Sequence, residues 1–342
     1  MDTSLGLMLA AVITGASTVP LRFIANKAGL LDAPSERKKH IGNVPLIGGI
    51  AIFFGFFIVV ASSNLDNPYI NSLLVACSLL VIIGVIDDIR PQPVRVRVTA
   101  QLIASTIMIF GTGLHITSFG NLLGMGEIDL GILAIPVTLL AVVGVTNAFN
   151  LVDGINGLAG SLTIISIGGV IVFNGGAISS NSAAVLIILC AAIIPYLILN
   201  IWGGKYRIFL GDGGSLFIGF VICWVLIDQT QGSTSTMSPV SALWCVAIPL
   251  VDTIGVLARR IAKKQSPFQP DRNHLHHILM RVGLSDKGAL VFLVAMASLI
   301  LLLGFVIEKS IPSLSFIAFI GVFLGYYLIL KHSWKVQRFL KR

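Results

Sequence analysis

YINSLLVACSLLVIIGVIDDIR, residues 69–90, carries the reading of the whole chain. The apolar run 69–86 is close to the roughly 20 residues that a helix needs to cross a hydrocarbon core. It ends abruptly on two adjacent carboxylates, Asp87 and Asp88. Working outward, segments of the same kind recur at 3–23, 46–61, 98–114, 131–149, 158–174, 182–201, 215–228, 240–257, 289–307 and 314–330. With 69–86 they predict about eleven transmembrane helices. The segments 46–61 and 215–228 are short and contain glycine, so tilt, breakage or extension into their flanks is expected there. Composition agrees, because 56% of the 342 residues are hydrophobic and only 11% charged, against about a quarter charged in soluble proteins. A mean hydropathy of +0.95 excludes a soluble enzyme, a disordered chain and a disulfide scaffold. Cys77, Cys190, Cys223 and Cys245 each sit inside an apolar run and read as small core hydrophobes. The predicted fold class is all-α: a polytopic integral membrane helical bundle, forming a single transmembrane domain over 1–342.

Sidedness follows from the basic residues. Loops 24–45, 87–97, 150–157, 202–214 and 258–288, with the tail 331–342 and Arg22 at the end of the first span, hold 22 of the 23 Lys and Arg, and only Lys309 falls on the opposite side. With the acidic residues divided about nine to six, one face carries +13 and the other −5, consistent with the net +8. The basic face is therefore expected in the cytoplasm, the N-terminus outside and the C-terminus inside. The positive charge is explained by topology and calls for no nucleic acid. The outer loops are bland stretches of Ser, Asn, Gly and Thr, whereas the inner loops concentrate Asp, Asn, His and Gly. Charge at the mouth of a span is costly and marks function.

Four clusters stand out on that inner face. Asp87-Asp88 is a pair of carboxylates that repel unless a cation or proton joins them; the competing reading is a helix end neutralised by Arg90, Arg95 and Arg97. Asn147-Ala148-Phe149-Asn150-Leu151-Val152-Asp153-Gly154-Ile155-Asn156-Gly157 places Asn147, Asn150 and Asp153 at helical spacing before a permissive turn. Phe209-Leu210-Gly211-Asp212-Gly213-Gly214-Ser215 opens a span, where backbone N–H groups can form an anion nest and Asp212 can hold Mg²⁺. An ordinary helix cap is the alternative there. Ser266 to His277, with Asp271, Arg272, His274, His276 and His277, suits a cationic diphosphate pocket better than zinc, because no cysteine or fourth ligand accompanies it.

Taken together, these blocks resemble the polyprenyl-phosphate N-acetylhexosamine-1-phosphate transferase family of membrane enzymes. The resemblance covers most of the chain, from Arg37-Lys38-Lys39-His40-Ile41-Gly42-Asn43-Val44-Pro45-Leu46-Ile47-Gly48-Gly49 to His274-Leu275-His276-His277. It implies that Asp87 and Asp88 serve the lipid phosphate and the chemistry, with Asp153 and Asp212 also catalytic. It implies Mg²⁺, replaceable by Mn²⁺, on Asp212 with Asn150. Asn156 would contact the uracil and Phe209 would stack on it, while Arg97, Arg272, His274, His276, His277, Lys39 and His40 would bind substrate. The Ser266–His277 stretch is similar to the branch that initiates surface polysaccharides (O antigen, common antigen or teichoic acid type). The implied reaction transfers GlcNAc-1-phosphate from UDP-GlcNAc to undecaprenyl phosphate at the cytoplasmic face of a bacterial inner membrane. Another UDP-N-acetylhexosamine or UDP-MurNAc-pentapeptide is the alternative donor, and a homodimer is left open. One departure is that relatives often carry Lys downstream of the paired aspartates where this chain offers Arg95 and Arg97; Arg cannot serve as a base. A secondary transporter, the competing class, would place polar residues near mid-membrane in repeated half-helices, whereas here they gather at one face.

Overall fold

The computed structural model describes residues 3–33, 42–63, 67–231, 235–265 and 274–331. Lys39, His40 and Arg272, like the tail beyond Lys331, lie outside the described residues. The helices are α1 (Thr3–Ala28), α2 (Gly48–Ser62), α3 (Pro68–Ile89), α4 (Val94–Thr112), α5 (Ala134–Val152), α6 (Leu158–Phe173), α7 (Ser180–Trp202), α8 (Gly211–Thr230), α9 (Pro239–Cys245), α10 (Ala247–Ala262), α11 (Leu275–Val282), α12 (Asp286–Ser310) and α13 (Ser315–Lys331). Among the described residues, eight helical segments are long and apolar enough to cross a membrane, or nine if the bent pair α9–α10 counts as one span; α2 and α6 are shorter apolar helices. The chain is a helical, multi-pass membrane protein. The expected all-α character has one small exception, an antiparallel pairing of β1 (Leu31–Asp32) with β2 (Val44–Pro45).

The chain divides into two compact units. The first comprises residues 1–115, 138–150 and 178–228. Its core is α8, whose Leu216, Phe217, Ile218 and Phe220 to Leu226 are buried, with Phe217 edge-on to Phe53 and Phe56 of α2. In a membrane, small residues let helix backbones approach, and the start of α8 uses them twice. A side chain on Gly49 would collide with the Gly214 backbone, and one on Gly84 with the Gly213 backbone. Helix α8 begins at Gly211, so the short segment expected at 215–228 extends to include Asp212 in its first turn.

The second unit comprises 116–137, 151–177 and 229–342. The span expected at 240–257 is broken: α9 and α10 meet at 84° around Val246. Pro249 explains the break, because proline cannot donate to the carbonyl four residues earlier and its ring crowds it. That carbonyl, Cys245 O, is instead satisfied by the Ser166 hydroxyl of α6 at 2.8 Å. Trp244 fills the bend, donating its indole N–H to Ser315 Oγ at 3.0 Å and packing edge-on against Phe319. The long inner loop expected over 258–288 contains α11, which follows His274 at its N-cap.

Candidate active site

Five of the residues singled out from the sequence, Asp87, Asp88, Arg97, Asn150 and Asp212, assemble within the first unit. Pro91 and Pro93 end α3 and force a tight turn into α4. Asp87 fixes that turn by accepting the Gln92 N–H on Oδ1. Its Oδ2 takes Arg97 Nη1 at 3.1 Å, and the same nitrogen lies 3.5 Å from Asp212 Oδ2. Arg97 thus joins two carboxylates from α3 and α8.

Asp88 faces elsewhere. Its Oδ1 accepts the Asp212 backbone N–H at 2.9 Å and its Oδ2 the Gly213 N–H at 3.4 Å. Gly84 is one turn earlier on the same face of α3, so the glycine contact between α3 and α8 is what brings Asp88 to those amides. Gly211 has φ +74 and a Cβ there would stand 2.5 Å from Asp88 Oδ2, so both conformation and space require glycine. The expectation of a phosphate nest at this helix start is therefore corrected. Two of its amides are taken by a carboxylate of the chain itself, a favourable partner for the positive end of α8.

Asn150, on α5, donates its amide to Asp212 Oδ1 and to Ser215 Oγ, each at 2.9 Å. One turn earlier Asn147 donates to Gln101 Oε1 at 2.7 Å and to Val143 O at 2.8 Å. Gln101 is fully buried, one turn beyond Arg97 on α4. The sequence reading missed it, although an uncharged polar residue in an apolar span at i+4 from Arg97 was a usable signal. Phe209 is half-buried and its backbone is paired on both sides, its N–H donating to Pro45 O at 2.9 Å and its carbonyl accepting from Gly48 N at 2.8 Å.

Three carboxylates against one guanidinium leave an excess of negative charge in hard oxygen donors. Among the described residues no three His, Cys, Asp or Glu side chains form a closed metal cage. A cation here would be held by one or two carboxylates and would complete its shell with phosphate or water oxygens, as Mg²⁺ prefers. The Asp212 side chain is 34% exposed against 5% for Asp87, so it has an open edge. The donor set fits Mg²⁺.

The histidine block belongs to the second unit. Asp153 and Asn156, both half-buried, lie on the turn between α5 and α6. Gly157 closes that turn with φ +80, and Gly154 lies against the His276 ring so closely that any side chain would collide with it. The Asp-Gly-Ile-Asn-Gly turn and the histidines are thus interlocked. His276 is 2% exposed and its Nε2 has no partner among the described residues. Burial, then the neighbouring His277, pushes its pKa down to about 3, so it is a neutral imidazole at physiological pH. This corrects its expected place in a cationic pocket. His277 is half-buried with its ring 4.1 Å from that of His276, and His274 Nδ1 lies 2.7 Å from Asp252 Oδ2.

Residues 70–230 match the family described as glycosyl transferase family 4. Over 328 residues, 94% of this chain and 89% of the relative, the sequence is 40% identical to an undecaprenyl-phosphate alpha-N-acetylglucosaminyl 1-phosphate transferase of Yersinia pestis. The chain belongs to glycosyl transferase family 4. Proteins with the same name from Escherichia coli K12 (39% identity over 329 residues, 94% of this chain and 89% of the relative) and Haemophilus influenzae (35% over 334 residues, 95% and 93%) show the same near-complete overlap. The glycosyl transferase family 4 match contains Asp87, Asp88, Arg97, Asn150, Asp153, Asn156, Phe209 and Asp212. It stops short of the histidine block, which lies in the part of the chain reached only by the longer alignments.

Proposed function

We propose that the chain transfers GlcNAc-1-phosphate from UDP-GlcNAc to undecaprenyl phosphate, releasing UMP and leaving undecaprenyl-diphospho-GlcNAc. The observation that carries this reading is the meeting of Asp87, Asp88, Arg97, Asn150 and Asp212 around the start of α8, in a chain that aligns with the named relatives over 94% of its length. An oxygen of the lipid phosphate attacks the sugar-linked phosphorus, and the bond to the UMP phosphate breaks. Phosphoryl transfer of this kind is mainly positioning and neutralisation of charge. Asp212 and the Asn150 carbonyl oxygen supply ligands for Mg²⁺ or Mn²⁺, which offsets the negative charge of the diphosphate when bound. Arg97 holds Asp87 and Asp212 in register and adds positive charge. Asp88 holds the first turn of α8, and through it Asp212, in place. No side chain needs to deprotonate the acceptor, since a phosphate monoester with a second pKa near 6 is largely ionised at neutral pH. Asn156 and Phe209 are assigned to the uridine, Asp153 to the catalytic set, and His274 and His277 of the histidine block, with Arg272, Lys39 and His40, to donor phosphates.

We further place the basic loops in the cytoplasm of a bacterial cell, with eleven spans formed by the eight long helices, the bent pair, α2 and α6. Introduced cysteines at Ser235 should label from outside, and those at Ser285 and Lys341 only from inside; outside labelling of position 341 refutes this topology. For the reaction, the purified chain is given undecaprenyl phosphate and a panel of UDP-sugars, and UMP release is read. UDP-GlcNAc should be the best donor, and Asp212→Asn should lower turnover by about 10²-fold or more. Near-normal turnover in that variant, or preference for UDP-MurNAc-pentapeptide, defeats the proposal.

A further inference from the structure

Among the described residues, the proposed reaction leaves one buried carboxylate unused. Asp252 lies on the buried stripe of α10 with Ile248, Val251, Gly255 and Val256, and is 2% exposed. A carboxylate in such surroundings is costly unless its oxygens are satisfied. Its Oδ2 is 2.7 Å from His274 Nδ1, and its Oδ1 accepts both the Leu275 N–H at 3.1 Å and the Tyr326 hydroxyl of α13. Gly255, one turn along α10, admits α13: a Cβ there would meet Leu330 Cδ1 at 2.9 Å and Tyr326 Cε1 at 3.3 Å.

These contacts determine how His274 can act. With Nδ1 facing a carboxylate, the proton is on Nδ1, and the tautomer leaves Nε2 as the ring atom available to a ligand. The Leu275 amide on the same carboxylate fixes the backbone beside the ring. The His274 ring also lies parallel to that of His276, with centroids 5.9 Å apart and planes within 8°. An imidazole held on three sides has little rotational freedom to lose when it binds.

We propose that Asp252 and Tyr326 are positioning residues for His274, fixing its tautomer and ring so that Nε2 is presented to the donor diphosphate. This rests on the assignment of the histidine block to the donor. Tyr326 acts through Asp252: its hydroxyl occupies the oxygen that His274 does not use and keeps the carboxylate from rotating.

The test uses the full chain in detergent, labelled with ¹⁵N-histidine, with the His274 ring signals assigned by their loss in His274→Gln. Asp252→Asn replaces an acceptor by a group whose NH₂ favours the opposite tautomer. It should move the His274 proton from Nδ1 to Nε2 and raise KM for UDP-GlcNAc about tenfold, the order of one lost charge-assisted hydrogen bond. KM for undecaprenyl phosphate should not change, and Asp252→Glu should restore part of the donor KM. Tyr326→Phe keeps the ring against Gly255 and removes one hydroxyl, so a smaller rise in the same donor KM is expected; it decides the matter if Asp252→Asn does not fold. Folded variants that keep both the Nδ1 proton and the wild-type donor KM overturn the proposal. A switched tautomer with a raised acceptor KM and an unchanged donor KM leaves the positioning intact and removes the donor assignment of the block.

Discussion

Gly84→Ala adds one methyl group where α3 and α8 touch, and its consequences can be worked from the contacts. The new Cβ would stand 2.7 Å from the Asp212 carbonyl carbon and closer still to the Gly213 backbone. Carbon atoms pack comfortably at about 3.5–4.0 Å, so the two helices must part by on the order of 1 Å. Backbone surrounds the site, and no flexible side chain can move aside instead. Overpacking of this kind costs roughly 1–3 kcal/mol, while the better helix propensity of alanine returns about 1 kcal/mol; the net loss of stability is small. The loss of activity should not be small. Asp88, one turn along, holds the Asp212 N–H at 2.9 Å, and a displacement near 1 Å breaks that bond and moves the Asp212 carboxylate with it. Misplacement by that much costs about 10²-fold in rate. The assay is UMP release under single-turnover conditions, together with the thermal midpoint in detergent. Gly144→Ala on α5 is the matched control, since a Cβ there meets nothing within 4 Å; it should keep full activity and gain slightly in stability. Turnover of Gly84→Ala within twofold of wild type would refute the claim that this helix contact aligns the site.

Three further outcomes are expected. Arg97→Gln should lower turnover about 10²-fold by leaving Asp87 and Asp212 without their common partner, whereas Arg97→Lys should keep much of it, because both contacts are made from one nitrogen; equal activities of the two variants would contradict this. His276 carries its proton below about 3 in the folded chain but below about 6.5 when unfolded, so the unfolded state binds more protons between those values and stability falls as pH drops through that window. The loss should reach about 2 kcal/mol by pH 5 and shrink in His276→Gln; parallel denaturation curves for both proteins at pH 7 and pH 5 would rule it out. Ser166→Ala should cost about 1 kcal/mol, a typical hydrogen bond between membrane helices, by orphaning the Cys245 carbonyl. Pro249→Ala in the same chain should return part of that by restoring a helical N–H donor, so strictly additive effects in the unfolding midpoint would speak against the account.

Hydropathy alone located nearly every helix, because a segment that must exclude water has to be apolar along its length. The same uniformity hid the break at Val246. Apolar residues continue through the bend, so 240–257 reads as one span, and the consequence of Pro249 depends on whether a neighbour can satisfy Cys245 O. Ser166 does so from 79 positions away. Tyr326 was illegible for a similar reason, since nothing in the spacing of α13 ties its hydroxyl to a carboxylate on α10.

The site was legible as a list of residues but not as a set of pairs. Asp87, Asp88, Asn150 and Asp212 announce themselves because each interrupts or ends an apolar run, where an unexplained polar group is expensive. The sequence presents Asp87 and Asp88 as equivalent. On a helix, however, neighbours point about 100° apart, so two adjacent carboxylates at the end of α3 meet different surroundings. Asp87 turns toward the α3–α4 turn and Arg97, while Asp88 turns toward the first amides of α8. Gly84 is flanked on its own side of the helix by both positions, about 60° away for 87 and about 40° for 88, so it admits α8 beside the pair, and the Gln92 N–H of the α3–α4 turn claims Asp87 while Asp88 is left to the amides. The division of labour between the paired aspartates therefore rests on two neighbours together, the glycine that lets α8 approach and the proline-flanked turn that holds Asp87.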